Sequence, residues 1–486
     1  MPRHAPFHAF RQKGEIIMTQ SDSFDVLVIG GGPGGTPAAF ALAMAGKKVL
    51  LAEAGKGLGG TCLFEGCIPS KIYRETAARR HEAARNPGFG LETDGQPPEV
   101  NWQKVIARRD KILQMRSQGA LMRARAMPTL EVVFGKARLD GPRKAVIETA
   151  QGAREITFGK AILATGSAPN HLPIPGAGLP GVLDSNSLIH IDHIPRSLTF
   201  IGGGPIGVEM AQIFSMLGAK TTILEAAPRI LNPVDATLAA LLTDQLRQDG
   251  IDVRTGVRVQ GIRRENGGLV TTIEENGDAV EIASETVAIV AGRHPAIDGL
   301  GLETTAVQHD RHGVKTDAFL ETDEPGIYAT GDLAGAPMFA HWATAQARAV
   351  AMHILGRPAP YPRPEHNTAV IFSWPELGMA GLTEEAARER GMDVAVAEYD
   401  YKIDARAQIS HDGLGRLRLV YRTDDKVVVG VHALVEGAAE LMGEAALIVK
   451  NGLTLPQLAM AIHPHPTLAE AFGLAVAQAL ASGKTG

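Results

Sequence analysis

Two cysteines are the residues of this sequence best suited to redox chemistry. Cys62 and Cys67 lie in the segment GGTCLFEGCIPSK (residues 59–71), and the 486-residue sequence contains no further cysteine. A disulfide-stapled secreted protein would need more, so the two indicate either a reactive pair or two buried core thiols. A disulfide between helical residues at this spacing requires a distorted helix start, which the flanking glycines permit. Because a helix N-terminus stabilises thiolates, the position favours a reactive pair.

A glycine-rich dinucleotide fingerprint, G-x-G-x-x-G, occurs twice. Each copy follows a short apolar strand, precedes a helical stretch, and leads to a second strand that ends in an acid at the same offset. The first glycine allows a tight turn, the second lets the backbone approach a pyrophosphate, and the third lets the helix pack on the strand. The helix N-terminus offers N–H groups to the phosphates. We therefore expect two dinucleotides, bound through Gly30, Gly32, Gly35 and Glu53 and through Gly202, Gly204, Gly207 and Glu225.

The acid of the second copy predicts which nicotinamide cofactor binds. Glu225 suits the 2′-hydroxyl of the adenosine ribose and repels a 2′-phosphate. Arg229 lies nearby in sequence, but Pro228 separates it from the strand end. We therefore expect NAD rather than NADP.

Composition and charge argue against several other classes of protein. The net charge is −5 and the pI is near 6.4, whereas a nucleic-acid-binding protein normally carries a basic stripe. No uninterrupted apolar run in the sequence is long enough to cross a bilayer. Residues 1–17 are basic like a transit peptide but contain no Ser. We favour Met18 as the working start and a cytoplasmic protein, with an organelle matrix as the alternative if residues 1–17 are a targeting segment.

Apolar runs and prolines divide the rest of the chain. A long charged helix is predicted over Trp102–Met127, and strands with turns over Leu130–Arg154. Prolines between residues 169 and 180 mark one boundary, and alternating prolines between residues 358 and 364 mark a second, because proline interrupts helices and central strands. An α+β tail is predicted beyond that point, with strands Arg416–Tyr421 and Val427–Leu434 and helices Ala438–Lys450 and Thr467–Ala481.

The cysteine segment closely resembles the redox-active segment of the dihydrolipoamide dehydrogenases, which are flavin- and pyridine-nucleotide-dependent disulfide oxidoreductases. The resemblance extends from about Asp25 to Leu480. It implies an enzyme in which electrons pass from a dihydrolipoyl group through the two cysteines and FAD to NAD. Besides the fingerprints, its motifs are the Thr165-Gly166 turn, the Gly292-Arg293 segment, the segment GIYATGD ending at Asp332, and the segment HPHPTLAE, which contains His465 and Glu470.

The resemblance implies roles for residues around the thiols. Cys62 would be the interchange thiol that meets the substrate, and Cys67 would lie against the flavin as the charge-transfer thiolate. Lys71 and Glu209 match the family's ion pair beside flavin N5. Asp332 would bind the flavin ribityl chain.

The resemblance also implies an acid–base catalyst. His465, oriented by Glu470, would act on the disulfide of the partner subunit, and a His paired with a carboxylate is suited to take a thiol proton near neutral pH. The remaining implied cofactor residues are those of the first fingerprint with Glu53 for FAD, those of the second with Glu225 for NAD, and Lys71, Thr165, Gly166, Gly292, Arg293 and Asp332.

The predicted fold is α/β, with two Rossmann-like dinucleotide-binding domains, for FAD and NAD, plus an α+β C-terminal dimerisation domain. The expected segments are an N-terminal extension (1–21), an FAD-binding domain with the redox pair (22–165), an NAD-binding domain (166–291), a return to the FAD-binding or central domain (292–360) and the dimerisation domain (361–486). We expect a homodimer that shares its active sites. Its substrate would be a lipoylated carrier protein or free dihydrolipoamide, with no nucleic-acid or membrane partner and no metal.

Three residues depart from the family pattern. Phe64 and Glu65 stand between Leu63 and Gly66, where the family usually places an Asn after the Leu. Ala296 occupies a place where an Asn is usual after the Gly-Arg-x-Pro segment. These departures leave substrate preference open, and the alternative is a related flavin disulfide reductase that acts on another low-molecular-weight or protein disulfide.

Overall fold

The structure is a computed structural model that describes residues 22–92, 94–359, 361–410 and 413–481. The predictions made for residues 1–21 therefore lie outside the described residues. Within the described part of the chain, no helix is long and apolar enough to cross a membrane.

The helices and strands are numbered along the chain. The α-helices of the described residues are α1 (Thr36–Met44), α2 (Gly60–Phe64), α3 (Cys67–Arg85), α4 (Trp102–Arg125), α5 (Ser185–Ile189), α6 (Pro205–Met216), α7 (Ala236–Gln248), α8 (Ala340–Ile354), α9 (Glu384–Glu389), α10 (Ala405–Ile409), α11 (Ala438–Asn451), α12 (Leu455–Ala459) and α13 (Glu470–Ala481). The strands are β1 (Ser23–Ile29), β2 (Val49–Glu53), β3 (Leu130–Leu139), β4 (Lys144–Thr149), β5 (Gly152–Leu163), β6 (Ser167–Pro169), β7 (Val182–Asp184), β8 (Ser197–Ile201), β9 (Lys220–Glu225), β10 (Asp252–Thr255), β11 (Arg258–Glu265), β12 (Gly268–Glu275), β13 (Asp278–Ser284), β14 (Thr286–Ile289), β15 (Arg293–Pro295), β16 (His309–Asp310), β17 (Gly313–Val314), β18 (Ile327–Ala329), β19 (Thr368–Ile371), β20 (Leu377–Gly381), β21 (Val394–Asp400), β22 (Arg416–Arg422) and β23 (Val428–Leu434).

The first fingerprint follows β1, an inner strand of a six-stranded sheet. Strand β1 runs parallel to β2 on one side and to β5 on the other, and β18 extends the sheet beyond β5. Both faces of β1 are covered by apolar clusters, which explains its nearly continuous apolar sequence. The fingerprint thus follows a buried parallel strand and leads into α1, as its sequence predicts.

The second fingerprint has the same surroundings in a second sheet. This sheet is wholly parallel, with strand order β10-β9-β8-β14-β7, and α6 follows β8 directly. A separate antiparallel sheet of β11, β12 and β13 covers part of it. The repeat in the sequence is therefore a repeat of strand, glycine-rich turn and helix.

The C-terminal part forms an antiparallel sheet, here called the tail sheet. Its strand order is β19-β20-β23-β22-β21, and α11 and α13 pack against it. The α+β prediction is correct for this region. Helix α13 begins at Glu470 rather than at Thr467, and the Glu470 carboxylate accepts the backbone N–H of Thr467 at 2.9 Å in the turn that precedes the helix. The predicted helix over Trp102–Met127 ends at Arg125.

Arg74 connects the long helix α3 to the tail sheet. Its guanidinium donates to the carbonyl oxygens of Phe372 and Ser373, each at 2.9 Å, and to the carboxylate of Glu436 at 2.9 Å. It also stacks on the ring of Trp374. These contacts hold α3, the helix that begins at Cys67, against the tail sheet.

Candidate active site

A break between two helices brings the two cysteines together. Helix α2 ends at Phe64, and α3 begins at Cys67 after a Gly66 whose backbone angles are φ −140° and ψ −105°. The helix-start distortion expected for this spacing is thus present. The structure contains no bond between the two sulfur atoms, and the disulfide stays a prediction.

The two thiols differ sharply in acidity. Their mutual hydrogen bond, with burial second, raises the pKa of Cys62 far above its ordinary value. The same hydrogen bond, aided by the nearby Lys71 ammonium, lowers the pKa of Cys67 to about 7. The Cys62 thiol therefore keeps its proton and donates it to a Cys67 thiolate. A pKa of about 7 gives Cys67 a large thiolate fraction near neutral pH. Thiolates are the reactive form in thiol–disulfide exchange.

Lys71 and Glu209 form the ion pair that the resemblance implied. Lys71 Nζ lies 2.7 Å from Glu209 Oε2, with the lysine side chain 32% exposed and the glutamate 10% exposed. The other carboxylate oxygen accepts the backbone N–H of Phe372 at 2.8 Å, and Lys71 lies over the Phe372 ring. The pair joins α3 to α6 one helical turn from Cys67, where its charges act on the thiolate.

The fingerprint glycines divide into two groups. A Cβ on the first or third glycine of either copy would collide with backbone carbonyl oxygens: 2.2 Å at Gly30, 2.0 Å at Gly35, 2.7 Å at Gly202 and 1.9 Å at Gly207. A Cβ on Gly32 would make only an ordinary contact at 3.6 Å, and one on Gly204 would meet no atom of the described residues within 4 Å. The middle glycines thus leave open space at a helix N-terminus, and this space fits the pyrophosphate of a dinucleotide.

The two acids after the fingerprints hold the glycine-rich loops through their backbones. Glu53 accepts the N–H of Gly31 at 2.6 Å and that of Gly55 at 2.5 Å. Glu225 accepts the N–H of Gly203 and that of Ala227, both at 2.7 Å. A carboxylate has about four acceptor positions, so each acid retains capacity for ribose hydroxyls.

The neighbouring arginine of the second copy is occupied elsewhere. Arg229 donates to the carbonyl oxygens of Val234 at 2.9 Å and Leu231 at 3.3 Å, and it approaches Glu385 at 3.6 Å. A guanidinium held in this way is a poor partner for a 2′-phosphate, which agrees with the preference for NAD inferred from Glu225.

The Thr165-Gly166 turn and the Gly292-Arg293 segment pair with each other. Strands β6 and β15 form a short antiparallel ladder. Thr165 Oγ1 donates to the Ala296 carbonyl at 2.8 Å, and the Ala296 N–H donates to the Gly166 carbonyl at 2.9 Å. Gly292 accepts the N–H of Asn170 at 3.1 Å. The unusual Ala296 therefore contributes its backbone to the turn.

Asp332 is reached through a serine that the sequence analysis assigned no role. Ser167 Oγ donates to Asp332 Oδ2 at 2.6 Å, while Arg293 Nε donates to Ser167 Oγ at 2.8 Å. Ser167 directly follows the Thr165-Gly166 turn, and this position next to the motif is the sequence feature that could have identified it as a site residue. These contacts place the predicted residues Arg293 and Asp332 in one polar cluster.

His465 and Glu470 pair near the C-terminal end of the described residues. The Nδ1 atom of His465 lies 3.0 Å from Glu470 Oε1, and the imidazole is 73% exposed. The Thr467 N–H and then His465 lower the pKa of Glu470, so this group stays a carboxylate. His463 is held separately by Glu444 at 2.9 Å, a partner that no sequence pattern identified.

Comparison with known proteins defines the class to which this fold and site belong. Residues 24–347 match the model of the pyridine nucleotide-disulphide oxidoreductase family, and residues 368–476 match the dimerisation domain of that family. The chain therefore belongs to the pyridine nucleotide-disulphide oxidoreductases and is an enzyme of this class. The predicted α/β fold with an α+β dimerisation domain is confirmed, and the predicted cofactors, FAD and NAD, are those of the family.

Relatives with curated names indicate a particular branch of the family. The chain is 35% identical to a dihydrolipoyl dehydrogenase of Thermus scotoductus, over 92% of this chain and 95% of that protein. It is also 35% identical to a dihydrolipoyl dehydrogenase of Pseudomonas aeruginosa, over 95% of this chain and 99% of that protein. The resemblance inferred from the cysteine segment is confirmed.

A solved structure extends the comparison to a second branch. The HOCl-induced flavoprotein disulfide reductase RclA from Escherichia coli matches with a TM-score of 0.83 and 27% sequence identity, over 93% of this chain and 99% of that one. The chain is thus similar both to relatives named dihydrolipoyl dehydrogenase and to one named a flavoprotein disulfide reductase.

Proposed function

We propose that this enzyme oxidises dihydrolipoyl groups to the lipoyl disulfide, with electrons passing through Cys62 and Cys67 and FAD to NAD. The observation that carries the proposal is the thiol pair at the break between α2 and α3, with the ion pair of Lys71 and Glu209 at 2.7 Å one helical turn away. Relatives that span nearly the whole chain and are named dihydrolipoyl dehydrogenase support this substrate.

The grouping of the strands into separate sheets supports the proposed domains. Residues 22–165 and 292–360 would bind FAD, residues 166–291 would bind NAD, and residues 361–486 would form the dimerisation domain. The FAD site would use the first fingerprint with Glu53, together with Lys71, Thr165, Gly166, Gly292, Arg293 and Asp332. The NAD site would use Gly202, Gly204, Gly207 and Glu225. Open space beside the middle glycines supports both assignments.

The thiol chemistry proceeds in two exchanges. A substrate thiolate attacks Cys62 Sγ of the oxidised pair, so a mixed disulfide forms and Cys67 leaves as a thiolate. The second substrate thiolate then attacks the substrate sulfur of the mixed disulfide, which closes the lipoyl ring and releases Cys62. The low pKa of Cys67 makes it a good leaving group. When bound, FAD supplies the two-electron chemistry that couples the reduced pair to NAD.

His465 would move the protons of the substrate thiols. Glu470 contacts Nδ1, so the tautomer that donates from Nδ1 to the carboxylate leaves Nε2 free to take a proton. The imidazole is largely exposed in the single chain, which suits action on the cysteine pair of a partner subunit. We infer a homodimer with shared active sites, a lipoylated carrier or free dihydrolipoamide as substrate, and a cytoplasmic location.

Anaerobic titration with dihydrolipoamide tests the proposal. We expect a long-wavelength band from the Cys67 thiolate beside the flavin, its loss in Cys67→Ser, and its disappearance on addition of NAD. A flavin that NADH reduces but dihydrolipoamide leaves unchanged would refute the proposed substrate and retain the family chemistry.

The second candidate is a flavin disulfide reductase for another disulfide. The observation that favours it is Phe64 and Glu65 between the cysteines, together with the likeness to RclA. NADH-dependent reduction of lipoamide, measured beside glutathione disulfide and small aromatic disulfides, separates the two functions. A kcat/KM for lipoamide below that for another disulfide would favour the second candidate.

A further inference from the structure

The segment between α2 and α3 sets the relative position of the two cysteines. Helix α2 ends at Phe64, and Glu65 follows with backbone angles of φ −136° and ψ 3° and with its N–H bonded to the Thr61 carbonyl at 2.9 Å. Gly66 alone separates Glu65 from Cys67, the first residue of α3. Any movement of Glu65 therefore changes the direction in which α3, and with it Cys67, leaves α2.

One hydrogen bond holds the side chain of this segment. Asn186 Nδ2 of α5 donates to Glu65 Oε2 at 2.7 Å. Within the described part of the chain, no other side-chain hydrogen bond connects residues 64–66 to another element. The opposite side of the same amide is also held, because Asn186 Oδ1 accepts from Arg293 Nη1 at 3.1 Å. The amide is thus oriented from both sides, with its nitrogen toward Glu65.

The far end of α5 is fixed to the cysteine-bearing helix α3. The carbonyl of Ile189, the last residue of α5, accepts from the Tyr73 hydroxyl at 2.7 Å and from Arg109 Nη1 at 2.8 Å. Tyr73 lies on α3 and is fully buried. The start of α5 is capped by Asp184, whose carboxylate accepts the N–H of Asn186 at 3.0 Å. Helix α5 is therefore a short support that contacts α3 at one end and the segment before α3 at the other.

We propose that Asn186 is a positioning residue that holds the segment between the two cysteines and thereby favours formation of the Cys62–Cys67 disulfide. Two thiols held near their reacting positions behave as if at high effective concentration, so a fixed segment makes ring closure more favourable than a loose one. Without the contact to Asn186, the segment would have to be ordered when the disulfide forms, with a loss of conformational entropy. The proposal rests on the proposed function and deepens it, because electrons would pass through this disulfide.

Two single substitutions and their combination test the contact from both sides. Asn186→Ala removes the donor, Glu65→Ala removes the acceptor, and the double variant removes both. Glu65→Ala spares the bond between Asn186 and Arg293, so it separates the contact with Glu65 from a disturbance of Arg293. The matched control is Asn451→Ala, since Asn451 Nδ2 donates to the Leu447 carbonyl at 2.8 Å at the end of α11. The visible flavin spectrum and thermal unfolding of each holoenzyme show whether the fold persists.

The readout is the equilibrium of the thiol pair with dithiothreitol under anaerobic conditions. Each holoenzyme is equilibrated across ratios of oxidised to reduced dithiothreitol, the free thiols are alkylated, and the fraction with Cys62 joined to Cys67 is read from the mass. In this exchange the pair gives two electrons and two protons to oxidised dithiothreitol, whose disulfide ring opens as the bond between Cys62 and Cys67 forms.

We expect each single substitution to lower the equilibrium constant for oxidation of the pair by about three- to tenfold, the net range of one hydrogen bond. A tenfold change raises the reduction potential of the pair by about 30 mV. The double variant should differ from wild type no more than either single variant does, because both remove the same contact. Asn451→Ala should match wild type. Unchanged equilibrium constants in the single variants, or effects that add in the double variant, would overturn the proposal.

The assay needs neither dihydrolipoamide nor NAD, so it separates two kinds of failure. A wild-type pair that oxidises at the same ratio as the Asn186→Ala and Glu65→Ala variants overturns only the role of Asn186. A wild-type pair that stays reduced at every ratio would contradict the electron path itself, and the role of Asn186 with it.

Discussion

The ion pair of Lys71 and Glu209 should control the Cys67 thiolate with opposite signs from its two members. Lys71 lowers the pKa of Cys67 and Glu209 raises it. Lys71→Met should therefore raise that pKa, and Glu209→Gln should lower it. Glu209→Gln retains an oxygen to accept the Phe372 N–H, which keeps the local backbone contact.

The magnitude follows from the position of Lys71 one turn along α3. Neighbours on one helix face lie about 6 Å apart, and at an effective dielectric of about 40 a unit charge there is worth about 1.4 kcal/mol, or about one pKa unit. A pKa near 8 instead of about 7 would reduce the thiolate fraction at neutral pH from about one-half to about one-tenth. Alkylation of Cys67 at that pH should then slow about fivefold.

Alkylation rates measured across pH in the reduced protein provide the assay. The lysine variant is compared at pH 7, and the glutamine variant at pH 6, where its thiolate fraction should exceed that of wild type by about fivefold for a one-unit shift. Thermal unfolding of each variant checks that the fold persists. Midpoints that move in the same direction in both variants would refute the electrostatic reasoning, since a general loosening of the site cannot produce opposite shifts.

Three further predictions concern the cysteine pair, the second fingerprint and the pair of His465 and Glu470. The free energy of unfolding of the reduced protein should rise as pH increases from about 7, the pKa of Cys67 in the folded state, toward 9, the ordinary thiol pKa. The thiolate forms at a lower pH in the folded than in the unfolded protein, so its contribution is full above the unfolded-state pKa and is lost as pH falls through the folded-state pKa. Denaturant titrations across this pH range should show the slope, and Cys67→Ser should remove it. Gly204→Ala should raise the KM for NADH several-fold with little change in Tm, whereas Gly207→Ala, which clashes with backbone, should lower Tm by several degrees, and equal effects on Tm would contradict the division of roles. Glu470→Gln should reduce kcat about 10- to 100-fold and alter the pH profile by weakening the orientation of His465, which steady-state kinetics from pH 6 to 9 would reveal.

The sequence was most informative where structure is local. The alternation of apolar strand, glycine-rich turn and helix predicted both fingerprint loops, because a positive φ at Gly30 and Gly202 and the close packing at Gly35 and Gly207 are needed within a few residues of one another. The long helix of the region 102–125 and the α+β character of the tail were also accessible from periodicity.

Contacts between distant segments were not accessible from these patterns. Arg74 meets Glu436, and Ser167 joins Arg293 to Asp332, only after the sheets have packed. Lys71 and Glu209 were paired by resemblance alone, since no periodicity relates α3 to α6. The start of α13 was also missed, because the backbone N–H groups of Glu470, Ala471 and Phe472 bond to carbonyls three residues earlier, and the apolar pattern does not distinguish this turn from the helix that follows.

The two acids that hold the glycine-rich loops have a consequence for ligand binding. Glu53 and Glu225 each accept one backbone N–H of the glycine-rich loop, that of Gly31 or Gly203, and one N–H from the turn after the acid itself, so each loop is tied to the end of the second strand by the protein's own side chain. Fixing a residue's backbone costs about 1–2 kcal/mol of conformational entropy. This entropy is lost during folding, so the binding of each dinucleotide to its already ordered loop does not have to offset it.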